Sequence, residues 1–182
     1  MEQGTINAPW SATTAVQKGL AGEKAVYAVE KSLNVKLTEP QKAVVHAEGY
    51  VPGYYKDIKG NITKGVGQTG EYINQTFVQT YEKHQEKAEA IFGELGKFHP
   101  KIQGEIMKAT YRGDVNVNHK WVHDFKKGNY EAAAADFLIN NEYLQYKRKG
   151  IKNGVTERFE TFANTLVQYA AYIKYKKQGL IK

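Results

Sequence analysis

The sequence contains no cysteine, so disulfide bonds and thiol chemistry are excluded, a feature that suits a reducing cytosol without demanding one. Its first residues, MEQGTINAPWSATT, lack the basic segment followed by an apolar run that marks a cleavable export signal. No apolar window approaches the length of a membrane span. Internal repeats and low-complexity stretches are also missing, which argues against solenoids, fibres and long disordered tails.

What remains is the composition of a soluble globular chain. The 182 residues fit one domain or two small lobes sharing a core, and the 41% hydrophobic content is enough to build it. Thirteen Tyr, seven Phe and two Trp supply large packing units. Lys and Arg outnumber Asp and Glu by 26 to 19, leaving a formal charge of +7. Such a surface favours anionic partners, and nucleic acid, acidic membranes and carboxylate-rich polymers all qualify, since long-range attraction does not choose among them.

Along the chain, residues 1 to about 14 read as a small, polar arm docked by Trp10. Ala15 to Leu33 is expected to form a weak helix with Val26, Val29 and Leu33 on one face, interrupted by Gly19 and Gly22. Thr38 and Gln41 have capping-box spacing, with Pro40 tolerated in the first turn. They start a helix that carries Glu48 at its end, where Gly49 can stop it. YYKD and NITKGVG then suggest a β-hairpin. Thr76 to Phe92 is expected to be an exposed connecting helix. Further helical patterns follow at Ile102 to Tyr111, Asn118 to Lys127, Tyr130 to Tyr143 and Val155 to about Lys177, with Gly113, Gly128, Gly150 and Gly154 as caps.

The stretch Glu48 to Gly67, EGYVPGYYKDIKGNITKGVG, concentrates the chemistry. A carboxyl at a helix end, walled by neighbours, can be kept protonated by desolvation, while an Asp on a hairpin turn stays hydrated. Two such carboxyls facing one another are what glycosidic hydrolysis requires, one to protonate the leaving oxygen and one to activate water; an inverting arrangement holds them about 6.5 to 9.5 Å apart. The Thr63 hydroxyl can hold the attacking water beside Asp57.

These residues resemble the phage-type lysozymes of glycoside hydrolase family 24. The family carries a Glu at a helix end, an Asp nine residues on in a Tyr-Lys-Asp context, a Thr six further, and then Gly-x-Gly. Glu48, Tyr55, Lys56, Asp57, Thr63, Gly65 and Gly67 match in turn. The resemblance implies an α+β, mainly α, two-lobed lysozyme-like fold. Residues 1–37 would be an N-terminal extension and 38–182 the lysozyme domain, divided into a catalytic lobe 38–75, a connecting helix 76–92 and a helical lobe 93–182. It also implies a muramidase that cuts the β-1,4 bond between N-acetylmuramic acid and N-acetylglucosamine with Glu48 as acid, Asp57 as base and Thr63 as water holder, using no cofactor and no metal.

The match extends from about Thr38 onward and is weaker in the C-terminal half. There, Gly154, Val155 and Arg158 resemble the element whose Arg approaches the catalytic Glu, making Arg158 the candidate to orient Glu48. Tyr111 and Arg112 fall where the family faces the sugar and are candidate cleft residues. Two features depart from the pattern: residues 1–37 have no counterpart in the minimal enzyme, and Gln68 and Thr69 replace the usual His or Thr. The implied partner is bacterial peptidoglycan, reached from the host cytoplasm on release or from a virion docked through the extension, with no nucleic-acid partner and no membrane span.

Alternatives from other classes stay open: a catalytically silent wall-binding or virion structural protein, a lytic transglycosylase using Glu48 alone, and a basic nucleic-acid-binding helical protein that lacks any recognition motif. His119 and His123 lie one helical turn apart, but Lys120 stands where a zinc-protease Glu would be needed. The Arg112-Gly113-Asp114 tripeptide is too short to weigh. The terminal KYKKQGLIK is basic and reads first as a solvated helix end.

Overall fold

The computed structural model describes residues 4–5, 19–57 and 59–182. The chain is α+β and mainly α. It runs β1 (Gly4–Thr5), α1 (Gly22–Leu33), α2 (Glu39–Glu48), β2 (Val51–Lys56), β3 (Ile62–Gly65) and β4 (Gln68–Thr69). After these come α3 (Phe77–Phe92), α4 (Pro100–Arg112), α5 (Lys120–Lys126), α6 (Tyr130–Phe137), α7 (Asn141–Arg148) and α8 (Gly154–Lys177).

The expected hairpin is larger than a hairpin. Strands β2, β3 and β4 form an antiparallel meander, and β1 pairs in parallel with the far edge of β2 through Gly4 with Tyr55 and Thr5 with Lys56. The expected docking of the N-terminal arm by Trp10 lies outside the described residues. What is described of that arm joins the sheet by backbone pairing, which uses donors and acceptors common to every residue and so leaves no compositional trace.

Helix α1 begins at Gly22 and residues 19–21 are not helical, while residues 15–18 of the expected helix lie outside the described residues. Leu20 forms an isolated antiparallel bridge with Tyr50, its N–H and C=O each 2.8 Å from the partner group. These extended bonds displace the helical turn that residues 19–21 would have added, a turn already weakened by two glycines. The Tyr130–Tyr143 helix is divided in two. α6 ends at Phe137, and the Asn140 side chain accepts the N–H groups of Glu142 and Tyr143 to start α7. Here an Asn that competes with the helical backbone outweighs the helical periodicity around it. Gly154 is not a C-cap but the first residue of α8, started by Asn153.

The two capped starts nearest the site use one device. Thr38 accepts from Gln41 N–H while Gln41 accepts from Thr38 N–H, and Thr76 and Gln79 repeat the exchange at α3. Each pair satisfies two otherwise orphaned donors and fixes where its helix begins. For α2 this also sets where the helix ends, because Gly49, at φ +74°, donates to Val45 and stops it immediately after Glu48.

One hydrophobic cluster runs from Ala25 and Val26 on α1 through Val44, Val45, Phe77, Phe92 and Ile106 to Phe162 and Leu166 on α8. The α3 helix is less exposed than its polar sequence suggests, for Phe77, Thr80, Tyr81, His84, Ala88 and Phe92 are all buried. Near its start Phe77 meets Tyr81 and Tyr111, and at its end Phe92 meets Trp121 and Phe125. A helix joining two regions must bury a face against each, so spacing of three and four persists along its length. The α2 and α4 helices pack closely, because a Cβ on Gly104 would lie only 3.1 Å from that of Ala43. That contact brings the ends of α2 and α4, and so Glu48 and Arg112, together.

Candidate active site

Glu48 is the last residue of α2 and is only 8% exposed. Burial, the largest influence, pushes its carboxyl above the ordinary value; Arg112, Arg158 and Lys108 pull the other way, and Asp114 reinforces the rise. Its place in the final helical turn, at the negative end of the macrodipole, acts in the same direction as burial. Arg112 Nε stands 2.9 Å from Glu48 Oε1. Among the described residues Oε1 accepts no hydrogen bond, so the contact is an ion pair. Burial draws the Arg112 guanidinium down to about 10, still cationic at neutral pH.

Behind this pair is a small cavity of about 20 Å³ lined by Glu105, Lys108, Arg112, Asp114 and Arg158 over the rings of Phe137, Phe159 and Phe162. Lys108 Nζ lies 2.6 Å from Glu105 Oε1, both largely shielded. Three carboxyls, Glu48, Glu105 and Asp114, thus share one region with three cations, Lys108, Arg112 and Arg158. Balanced charge is the condition under which so many ionisable groups tolerate burial. Arg158 was the sequence's candidate for direct contact with Glu48. Among the described residues that ion pair comes from Arg112, while Arg158 lies beside Phe159 and acts on Glu48 through its field. The exchange follows from geometry: Arg112 ends a helix packed on α2, whereas Arg158 comes from the start of α8.

Asp57 follows β2, and its carboxylate is committed to its own turn. Oδ1 accepts from Lys59 N–H at 2.9 Å and Asn61 N–H at 2.8 Å, and Oδ2 accepts from the Asn61 side chain at 3.1 Å. Thr63 is buried in β3, paired with Tyr55 on one side and Thr69 on the other, and its hydroxyl donates to Asn61 C=O at 3.1 Å. Asp57 and Thr63 are therefore tied to the same residue, Asn61. The link between Glu48 and Asp57 runs through Tyr55, a buried β2 residue whose phenol is raised to about 12 by burial first, then by the charges of Glu48 and Asp57. Both carboxyls therefore lie within electrostatic reach of one ring.

The turn after β3 closes on Glu48. A Cβ on Gly67, at φ +66°, would lie 3.7 Å from Glu48 Oε2, and one on Gly65 would run into Gln68 Oε1. Gln68 is buried, accepts from Val66 N–H, and donates to Gln75 C=O and Thr80 Oγ1. The residue noted as a departure from the family pattern thus holds the turn from beneath.

Tyr111 is directed inward as well: its hydroxyl donates to Val66 C=O at 2.6 Å, and its ring lies 4.6 Å from that of His84. A phenol so engaged is a joint between α4 and the turn and not a free platform for a sugar. His84 Nδ1 lies 2.8 Å from Thr80 C=O; a carbonyl only accepts, so this nitrogen carries the proton. Burial lowers the His84 pKa. The sequence reading did not single out His84, and its only signal was its place on the buried face of α3. Among the described residues, no three His, Asp or Glu side chains converge as a metal site would require.

No protein-family model matches this chain, and no curated protein sequence matches it.

Proposed function

We propose that the chain is a peptidoglycan hydrolase of the muramidase type, in which Glu48 is the general acid and Asp57, with Thr63, positions the attacking water. The observation that carries the reading is the contrast between the two carboxyls. Glu48 is buried with a raised pKa, whereas Asp57 is a partly exposed carboxylate on a turn. A glycosidase needs two carboxyls in unlike surroundings: one whose ionisation is opposed by burial, to give a proton, and a second, hydrated one to direct water. The fold supports the reading in outline, being α+β and mainly α, with a small sheet following α2 and with α2, α3 and α8 all packed on α4. The motif supplies the rest, from Glu48 to Gly67.

Peptidoglycan is the proposed partner. The proposed setting is either release from the host cytoplasm at lysis or carriage in a virion, with residues 1–37 as the docking segment. No helix among the described residues is long and apolar enough to cross a membrane.

One observation favours a second reading. Three donors from its own turn occupy Asp57, leaving about one of a carboxylate's four acceptor sites for water. An enzyme using Glu48 alone, a lytic transglycosylase, would require no more of Asp57 than this structural role. Digestion of purified sacculi separates the two, since a hydrolase leaves free reducing ends and a transglycosylase leaves anhydro-muramyl ends. In both readings Glu48→Gln lowers wall cleavage by roughly 10²- to 10⁴-fold, the usual contribution of general acid catalysis. Unchanged cleavage by this variant in a zymogram would overturn both, as would an inactive wild-type protein.

A further inference from the structure

The formal net charge is not spread over the molecule. Residues 143–182 hold nine Lys and Arg against two Glu, so the entire +7 of the chain resides there, and the preceding residues balance to zero. Part of this charge is gathered at the far end of α8. The last buried side chain of the helix is Leu166, and every residue from Lys174 to Lys182 is exposed.

This end is ordered. Gly179, at φ +71°, donates to Lys176 C=O at 3.1 Å, and Leu180 donates to Tyr175 C=O at 3.0 Å. The pair of bonds forms a Schellman cap, which folds the chain back over the helix end. Leu180 and Ile181 are therefore held at the tip, 67% and 38% exposed, beside Tyr175 at 48%. Lys174, Lys176 and Lys177, spaced around the helix by its 100° per residue, encircle them together with Lys182. Favourable placement of cations at a helix C-terminus accounts for the lysines. The apolar residue that commonly accompanies such a cap accounts for Leu180 opposite Tyr175, but neither effect accounts for a second aliphatic side chain at Ile181 or for the exposure that both keep.

We propose that this tip is a docking foot for an anionic lipid bilayer, touching the membrane end-on with lysines at the headgroups and Tyr175, Leu180 and Ile181 entering the acyl boundary. The composition admitted nucleic acid, wall polymer and acidic membrane alike. The arrangement of the tip separates them, because a soluble polyanion binds through charge and gains nothing from burying Leu180 and Ile181, whereas a bilayer offers partners to both sets. The lysines encircle the helix and do not form one stripe, so the contact is made by its end and not by a helix lying flat in the interface.

The test is sedimentation of the intact protein with vesicles of equal parts phosphatidylcholine and phosphatidylglycerol, with pure phosphatidylcholine vesicles and double-stranded DNA as the other arms. The wild-type chain is expected to pellet with the anionic vesicles alone. Replacing Lys174, Lys176 and Lys177 by Gln weakens this on the order of 100-fold at low salt. Leu180→Ser with Ile181→Ser, which leaves the charge untouched, weakens it by about 10-fold or more. All five positions are exposed, so melting temperatures stay at the wild-type value, and Leu180→Ser alone repeats the test in a milder form. No pelleting of the wild type, unchanged binding by the Leu180/Ile181 variant, or DNA binding as tight as vesicle binding would each overturn the foot. Glu48→Gln binds vesicles as the wild type does, so the foot and the muramidase reading fail independently.

Discussion

The helical side of the molecule and the sheet side are stabilised by different chemistry. Around α5, α6 and α8 the packing is chiefly apolar, with aromatic rings at its centre and the ion cluster at its edge: Trp121 meets Phe92, Phe137 and Phe162, and Phe137 stacks on Phe159. Around the sheet and its turn the buried groups include Glu48, Thr63, Gln68, Thr80 and His84. Apolar packing tolerates small shifts because it has no direction, whereas each buried polar group needs a partner at a set distance and angle. The first region is thus suited to hold the fold and the second to hold particular atoms in place, the condition for chemistry.

The largest test of this contrast is Trp121→Ala. It removes a ring only 4% exposed and in contact with three others, and should lower unfolding free energy by ~3–5 kcal/mol in denaturant titration. Wall cleavage by the surviving folded fraction is expected to be unaltered. Equal losses of stability and of activity per folded molecule would break the division.

A smaller effect is expected from Tyr111→Phe, which deletes only the hydroxyl donated to Val66 C=O. The expected stability change is about 1 kcal/mol. The turn carrying Gly67 lies against Glu48, so the loss of kcat should exceed what that small change in folding predicts. A variant with wild-type kcat would show that the joint has no part in positioning the acid.

The subtlest tests use pH. Arg112 opposes the rise in the Glu48 pKa, so Arg112→Met raises it further. A general acid is lost as pH climbs through its pKa, and the alkaline limb of the activity profile should accordingly move to higher pH; a limb that stays put or moves down would contradict the ion pair's role. Stability has its own sign. A carboxyl whose folded pKa lies above its ordinary 4.5 contributes stability that is complete below 4.5 and is lost as pH rises through the folded value. Thermal melts of the wild type and Glu48→Gln should therefore shift in favour of the variant as pH increases across that window, and a constant difference would mean that Glu48 titrates normally.

Much of the fold was legible in local sequence. Thr38 with Gln41, and Gly49 after Glu48, marked both ends of α2 because caps act within a few residues of chain. The division between α6 and α7 was not legible, because Asn140 falls inside a helical pattern although its side chain can cap the start of a new helix. The candidate site was legible as a motif but not as contacts. The Arg that touches Glu48 depends on how α4 packs against α2, and no spacing between residues 48 and 112 encodes that distance. Gln68 stood out only as a mismatch, since its three partners come from the neighbouring turn and from α3.

The sequence by itself determined most of the helices, both ends of α2 and the kinds of side chain present at Glu48, Asp57 and Thr63, because each depends on covalent structure and near neighbours. Tertiary structure alone decided which cation faces Glu48, that Asp57 and Thr63 both hold Asn61, and that Leu180 and Ile181 are left exposed past the end of α8. Those outcomes depend on burial and on approach between distant segments, and burial is a property of the packed chain that no residue possesses alone.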